Sequence, residues 1–172
     1  MFNIREKIKL GKISRFIRNF HKMRYGPKIV YVDLDGVVVD FQSGIDQLDE
    51  QTKKIFEGQY DDVPNIYSRM EPIAGAVDAV KKLATKYDVY FLSTAPWGNP
   101  SAWSDKVNWV SQYLGEYGYK RLILSHHKNL NNGHYLIDDR PRSNGADNFE
   151  GKVINFGSDD FPNWDKVLAK LL

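Results

Sequence analysis

Apolar and polar positions along this chain alternate between short hydrophobic runs and longer stretches whose apolar residues recur at helical spacing. "KIVYVDL" (28–34) has the short, mostly apolar character of a buried strand. Gln42 to Gly58 is more polar and predicts one or two short helices, with Phe41, Ile45, Leu48, Ile55 and Phe56 on an apolar side. Asp61, Asp62, Pro64 and Asn65 then favour a turn. After Glu71, Pro72 and Gly75, "AVDAVKKLATK" places Val77, Val80, Leu83 and Ala84 on a helix face, and "YDVYFLSTAP" predicts a strand that ends in a polar turn. Another helix is expected over Ala102 to Glu116 with Val107, Val110 and Leu114 on one side. "YKRLILS", "HYLIDD" and "KVINFG" are further strands, and Trp164 to Leu172 is a terminal helix.

Strands alternating with helices favour an α/β fold, an open Rossmann-like parallel sheet flanked by helices. Functional side chains of such sheets gather at the carboxyl ends of the strands. Polar clusters fall there repeatedly: Asp33 and Asp35 after the first strand, Ser93 and Thr94 after "VYFL", and Asp138 and Asp139 after "HYLI", with Lys128 shortly before the last of these strands. An isolated D-x-D commonly caps a loop. Combined with the other clusters, it can assemble carboxylates, hydroxyls and an ammonium around a phosphate.

The 172 residues, 42% hydrophobic and 13% aromatic, suffice for one domain with a real core. Absence of cysteine excludes disulfides, a cysteine nucleophile and thiolate metal sites, and is compatible with a reducing interior. No 18-residue apolar run suggests a membrane span and no secretory signal core is visible, so the expectation is a protein of the cytoplasm or host-cell cytoplasm.

Charge is uneven. Met1 to Lys28 carries nine Lys or Arg against Glu6 alone, a net +8 in a chain whose total is +2. Ile4, Ile8, Ile13, Phe16, Ile17 and Phe20 recur there at helical spacing, interrupted by Gly11. The division expected is a basic amphipathic segment over 1–27 and a folded domain over 28–172, with a small helical insertion at about 41–71. The basic segment either docks on the domain or attracts nucleic acid, an anionic surface or a protein partner. A homo-oligomer is compatible with the chain.

Taken together, the motifs resemble the haloacid dehalogenase-like phosphohydrolase superfamily. Its D-x-D-G-x-x-x-D signature stands at Asp33 to Asp40, and "FLST" (91–94), "HHK" (126–128) and "LIDD" (136–139) supply the remaining pieces. The resemblance implies that Asp33 attacks phosphorus to form an aspartyl-phosphate and that Asp35 protonates the leaving alcohol and then activates water. It also implies Mg²⁺ held by the Asp33 carboxylate, the Asp35 backbone carbonyl and the Asp138 carboxylate, with Thr94 and Lys128 binding phosphate. Gly36, Asp40 and Asp139 are supporting residues: Gly36 permits the turn, Asp40 fixes the loop, and Asp139 positions Asp138 or a water.

"VDLDGVVVDF", "EPIAGAVDAVKKL", "FLSTAPW" and "LIDDRPRSN" narrow the resemblance to the 5'(3')-deoxyribonucleotidases. That family implies a deoxyribonucleoside 5'- or 3'-monophosphate as substrate, with Phe41, Tyr67, Trp97 and Trp103 enclosing base or sugar and Arg140 aiding phosphate or nucleotide positioning. The 41–71 stretch is short beside the helical cap of the animal enzymes, which keeps another small phosphomonoester or a nucleic-acid end open as substrate. A non-catalytic interaction domain on the same fold is the remaining alternative.

Overall fold

A computed structural model describes residues 26–172. The basic segment expected over 1–27 lies almost wholly outside the described residues. A five-stranded parallel sheet forms the centre: β1 (Ile29–Val32), β4 (Asp88–Ser93), β5 (Leu122–Leu124), β6 (Tyr135–Asp138) and β7 (Lys152–Asn155), in the spatial order β5-β4-β1-β6-β7. Val30 lies beside Val89 on one flank and Tyr135 on the other. The winding direction reverses at β1, and open α/β sheets bind ligands at such a switch point, beyond the strand ends.

Period-two alternation sorts β1 between the sheet faces. Val30 and Val32 join the larger core with Phe91, Ile137 and Ile154, whereas Tyr31 belongs to a smaller cluster with Leu92, Leu136, Ala146 and Phe149. The larger core receives α3 (Ala76–Ala84), α4 (Ser101–Leu114) and α5 (Trp164–Leu171) through Ala76, Val80 and Leu83, through Trp109, Val110 and Leu114, and through Trp164, Val167 and Leu171. Continuously apolar strands are what a parallel sheet buried on both faces demands.

Between β1 and β4 the chain makes a short excursion. β2 (Val39–Asp40) and β3 (Glu71–Pro72) form an antiparallel ribbon that brings its two ends together. The excursion carries α1 (Phe41–Asp46), α2 (Glu50–Ile55) and two 3-10 turns, Tyr60–Asp62 and Tyr67–Arg69. Asp40 and Asp49 cap the two helices by accepting from Ser43 N and Thr52 N.

Two expected helix faces are rotated. Val107 is 54% exposed and Ile55 66% exposed. The buried stripe of α4 is instead Ala102, Asp105, Lys106, Trp109, Val110 and Leu114. At 100° per residue, Val107 falls beside this stripe, while a lysine and an aspartate fall on it. Among the described residues, no helix is long and apolar enough to cross a membrane.

Candidate active site

The loop after β1 is a tight hydrogen-bonded knot. Leu34 O accepts from Val37 N, Val38 N and Val39 N at 3.1, 2.9 and 2.9 Å, and Gly36 N donates to Val39 O at 2.9 Å. Gly36 has φ +72°, a left-handed conformation that L residues rarely adopt. A Cβ at Gly36 would fall on Oδ2 of Asp139, so the loop passes against the end of β6 with no room for a side chain. Leu34, fully buried, anchors the turn, and Trp164 Nε1 donates to Val37 O at 2.9 Å from α5.

This turn sends the two aspartates to different partners. Asp33 is 2% exposed; its Oδ1 accepts from Leu34 N at 2.8 Å and its Oδ2 lies 2.8 Å from Lys128 Nζ. Lys128 also reaches Asp138 Oδ2 at 2.6 Å, while Asp138 Oδ1 accepts from Arg140 N at 2.8 Å. Burial alone would lower the Lys128 pKa, but the carboxylates of Asp33 and Asp138 outweigh it and raise the value, so the ammonium persists.

Ligand oxygens of Asp33, Asp138 and Asp139 lie within 4.8 Å of one another. Asp139 Oδ1 is buried without a hydrogen-bond partner among the described residues, and its Oδ1 stands 3.9 Å from Arg140 Nε. Burial, reinforced by the Asp33 charge, pushes the Asp139 pKa up to about 6. An all-oxygen anionic cluster with an unpartnered carboxylate oxygen fits a hard divalent cation, which would relieve the repulsion.

Asp35 leaves this cluster altogether. Its Oδ2 pairs with Lys106 Nζ at 2.5 Å, and its Oδ1 has no partner among the described residues. Burial raises the Asp35 pKa and the neighbouring Asp33 adds to that rise, with Lys106 opposing. Two carboxylates two residues apart thus occupy unlike environments, the separation an acid and a nucleophile need.

Beside these groups opens a cavity of about 830 Å³ whose lining includes Asp35, Thr94 and Asp139 and, among its aromatics, Phe41, Tyr67 and Trp97. Phe41 and Tyr67 meet edge to face with centroids 5.9 Å apart. Arg140 and His126 also line it. Thr94 Oγ1 donates to Ser125 O at 3.0 Å. Trp103 is absent from the cavity lining; it packs on His126, which stands 6.2 Å from its ring and 6.1 Å from that of Trp97. Asp40 is engaged in capping α1.

Sequence reasoning passed over several residues that the fold brings here. Lys106 is 1% exposed, and His126, Asp61 and Asp62 line the cavity. Asn99, 2% exposed, donates to Asp61 O and Val63 O at 2.8 and 2.9 Å and ties the loop after β4 to the excursion. A signal for Lys106 was present: it shares the helical register of Ala102, Trp109 and Val110, so a cation sits where that register predicts burial.

Comparison with known proteins agrees with this geometry. The family model described as "5' nucleotidase, deoxy (Pyrimidine), cytosolic type C protein" matches residues 44–163, a stretch that excludes Asp33 and Asp35 and so is independent of them. A protein of Vibrio phage KVP40, provisionally named a 5'(3')-deoxyribonucleotidase, is 56% identical over 143 residues, covering 83% of this chain and 84% of the relative. The cytosolic type 5'(3')-deoxyribonucleotidase of Homo sapiens is 27% identical over 168 residues, covering 81% and 78% of the two chains. A Bordetella pertussis protein with the same provisional name as the phage one is 28% identical over 177 residues, covering 82% and 95%. With the aspartate cluster and the α/β sheet already in place, these matches show that the chain belongs to the cytosolic type C 5'-nucleotidase family and is a phosphoric monoester hydrolase.

Proposed function

We propose that the protein hydrolyses deoxyribonucleoside 5'- or 3'-monophosphates to nucleoside and inorganic phosphate through an aspartyl-phosphate on Asp33. The observation that carries this reading is the divergence of Asp33 and Asp35: one carboxylate is held against the Lys128 ammonium, and the other belongs to a residue that lines the cavity, is held by Lys106 and has a raised pKa. In the first step a carboxylate oxygen of Asp33 attacks phosphorus as the bond to the sugar oxygen breaks, and Asp35 gives that oxygen its proton. In the second, water attacks the same phosphorus, loses its proton to Asp35 and releases Asp33 with inorganic phosphate.

Lys128 offsets charge on Asp33 and on the transferring phosphoryl group, and Thr94 presents its hydroxyl to the phosphate. Mg²⁺ held by Asp33, the Asp35 backbone carbonyl and Asp138, with Asp139 beside them, would neutralise both the carboxylate cluster and the phosphate oxygens. Phe41, Tyr67 and Trp97 supply faces for a base or sugar, with Trp103 behind His126, and Arg140 supplies a cation at the rim. Asp61 and Asp62 on the cavity wall disfavour a polyanion, which supports a free mononucleotide over a nucleic-acid end.

The test is phosphate release in Mg²⁺ from deoxy- and ribonucleoside 5'- and 3'-monophosphates, sugar phosphates and phosphorylated DNA ends, with Asp33→Asn as background. Selective turnover of deoxyribonucleotides is expected; turnover of another phosphate class alone overturns the substrate, and full activity in Asp33→Asn overturns the nucleophile.

A further inference from the structure

Lys106 is a charged residue with no place in the chemistry described so far, yet it is 1% exposed and stands on the buried stripe of α4. Its three ammonium hydrogens have three directions to satisfy. Nζ lies 2.5 Å from Asp35 Oδ2, 3.1 Å from Ser93 Oγ at the end of β4, and 4.5 Å from the centroid of the Tyr67 ring, which covers it from the excursion. Three separate elements therefore hold the ammonium in one place.

Stability gives no account of this arrangement. Desolvation of two buried charges roughly cancels their mutual attraction, so a well-packed apolar pair would serve the fold as well. What the ammonium does to Asp35 is more specific. It holds Oδ2, while Oδ1 is buried and has no partner among the described residues, so the one strong contact that fixes the carboxyl group is the ammonium. A carboxyl that can swing between rotamers presents either oxygen, or neither, to the leaving oxygen. One pinned by an ammonium is held in a single orientation, and proton transfer is sensitive to that geometry.

The geometry points to Lys106 as a positioning residue of the reaction: it locks the Asp35 side chain in the one orientation from which its carboxyl group serves the leaving oxygen. This rests on the proposed acid role of Asp35. Because Tyr67 caps the ammonium, the excursion takes part in aligning the acid as well as in enclosing the substrate.

A positional role predicts dependence on the leaving group, which a general loss of structure does not. Single-turnover release of the alcohol product, with enzyme in excess, reports the first step alone. The protein carrying Lys106→Met is compared with wild type and Asp35→Asn on two substrates. One is a deoxyribonucleoside 5'-monophosphate, whose sugar oxygen needs a proton to leave; the other is p-nitrophenyl phosphate, whose phenolate leaves without one. Lys106→Met is expected to slow the nucleotide about 10- to 100-fold at saturation and the aryl ester less than about 3-fold, with the half-saturating nucleotide concentration changed by less than about 3-fold. Equal losses on both substrates, or no loss on either, overturn the proposal. If Asp35→Asn shows the leaving-group dependence and Lys106→Met does not, the role of Lys106 falls alone. If Asp35→Asn also lacks it, the acid assignment falls and carries the proposal with it. Lys106→Gln, a polar replacement, provides the same comparison should the methionine variant fail to fold, as judged by circular dichroism.

Discussion

Oδ2 of Asp33 and Nζ of Lys128 stand 2.8 Å apart, each side chain 3% exposed. The lysine comes from the 3-10 turn Lys128–Leu130 between β5 and β6, and the same ammonium bridges to Asp138 at the end of β6. A cation shared by two buried carboxylates holds together groups that would otherwise repel one another.

Removing it has a calculable consequence. Lys128→Met leaves Asp33 and Asp138 buried without their counter-charge, and breaking a buried pair from one side costs about 3–5 kcal/mol. Urea unfolding of the metal-free variant is expected to show a loss of that order, smaller when Mg²⁺ is added, together with loss of phosphate release. An unchanged midpoint in metal-free buffer would show that the bridge does not hold the cluster.

Asp139 makes stability depend on pH. Its pKa rises from 3.8 to about 6 on folding, so between these values the native state binds the extra proton. Stability contributed by that proton is present below the unfolded pKa and is lost as pH rises through the folded one. In metal-free buffer Asp139→Asn should therefore match wild type near pH 3.5 and unfold at a higher temperature than wild type at pH 7. Thermal melts at the two pH values check this; a gap that fails to widen with pH counts against the assignment.

Gly36→Ala puts a methyl on Asp139 Oδ2 and a side chain on a residue with φ +72°. The left-handed conformation alone costs about 1–2 kcal/mol for an L residue. The variant should melt lower than wild type and bind Mg²⁺ more weakly by isothermal titration, because the displaced carboxylate belongs to the acidic cluster. Normal metal binding would place Asp139 outside the metal's reach.

Asn99 links the loop after β4 to the wall that carries Asp61 and Asp62. Asn99→Ala leaves two carbonyls short of a donor, a cost of about 1–3 kcal/mol where the group is buried. The loss should appear mainly in KM for the nucleotide, with kcat less affected, since the residue shapes the cavity wall away from Asp33 and Asp35. Steady-state kinetics distinguish this from a fall in kcat alone, which would mean that the clip acts on the chemistry.

Much of this was legible in the chain. The five strands, the helices at 76–84, 101–114 and 164–171, and the convergence of Asp33, Lys128 and Asp138 follow from hydrophobic period and from the rule that parallel strands deliver their loops to one edge. Those are local properties: a run of Val, Ile and Phe declares a buried strand whatever lies beside it.

The partners of individual side chains are not local. Lys106 and Asp105 lie outside the face expected from Val107, Val110 and Leu114, yet the packing of α4 buries both and leaves Val107 at the surface. Asp35 meets Lys106 across 71 residues, and Trp164 meets the loop carbonyl of Val37 across 127. The sequence by itself determined which strand ends would carry the carboxylates, because periodicity and turn chemistry act over a few residues. Only the tertiary structure decided which carboxylate faces which ammonium, because that depends on how helices are set against the sheet, a matter of packing between segments far apart in the chain.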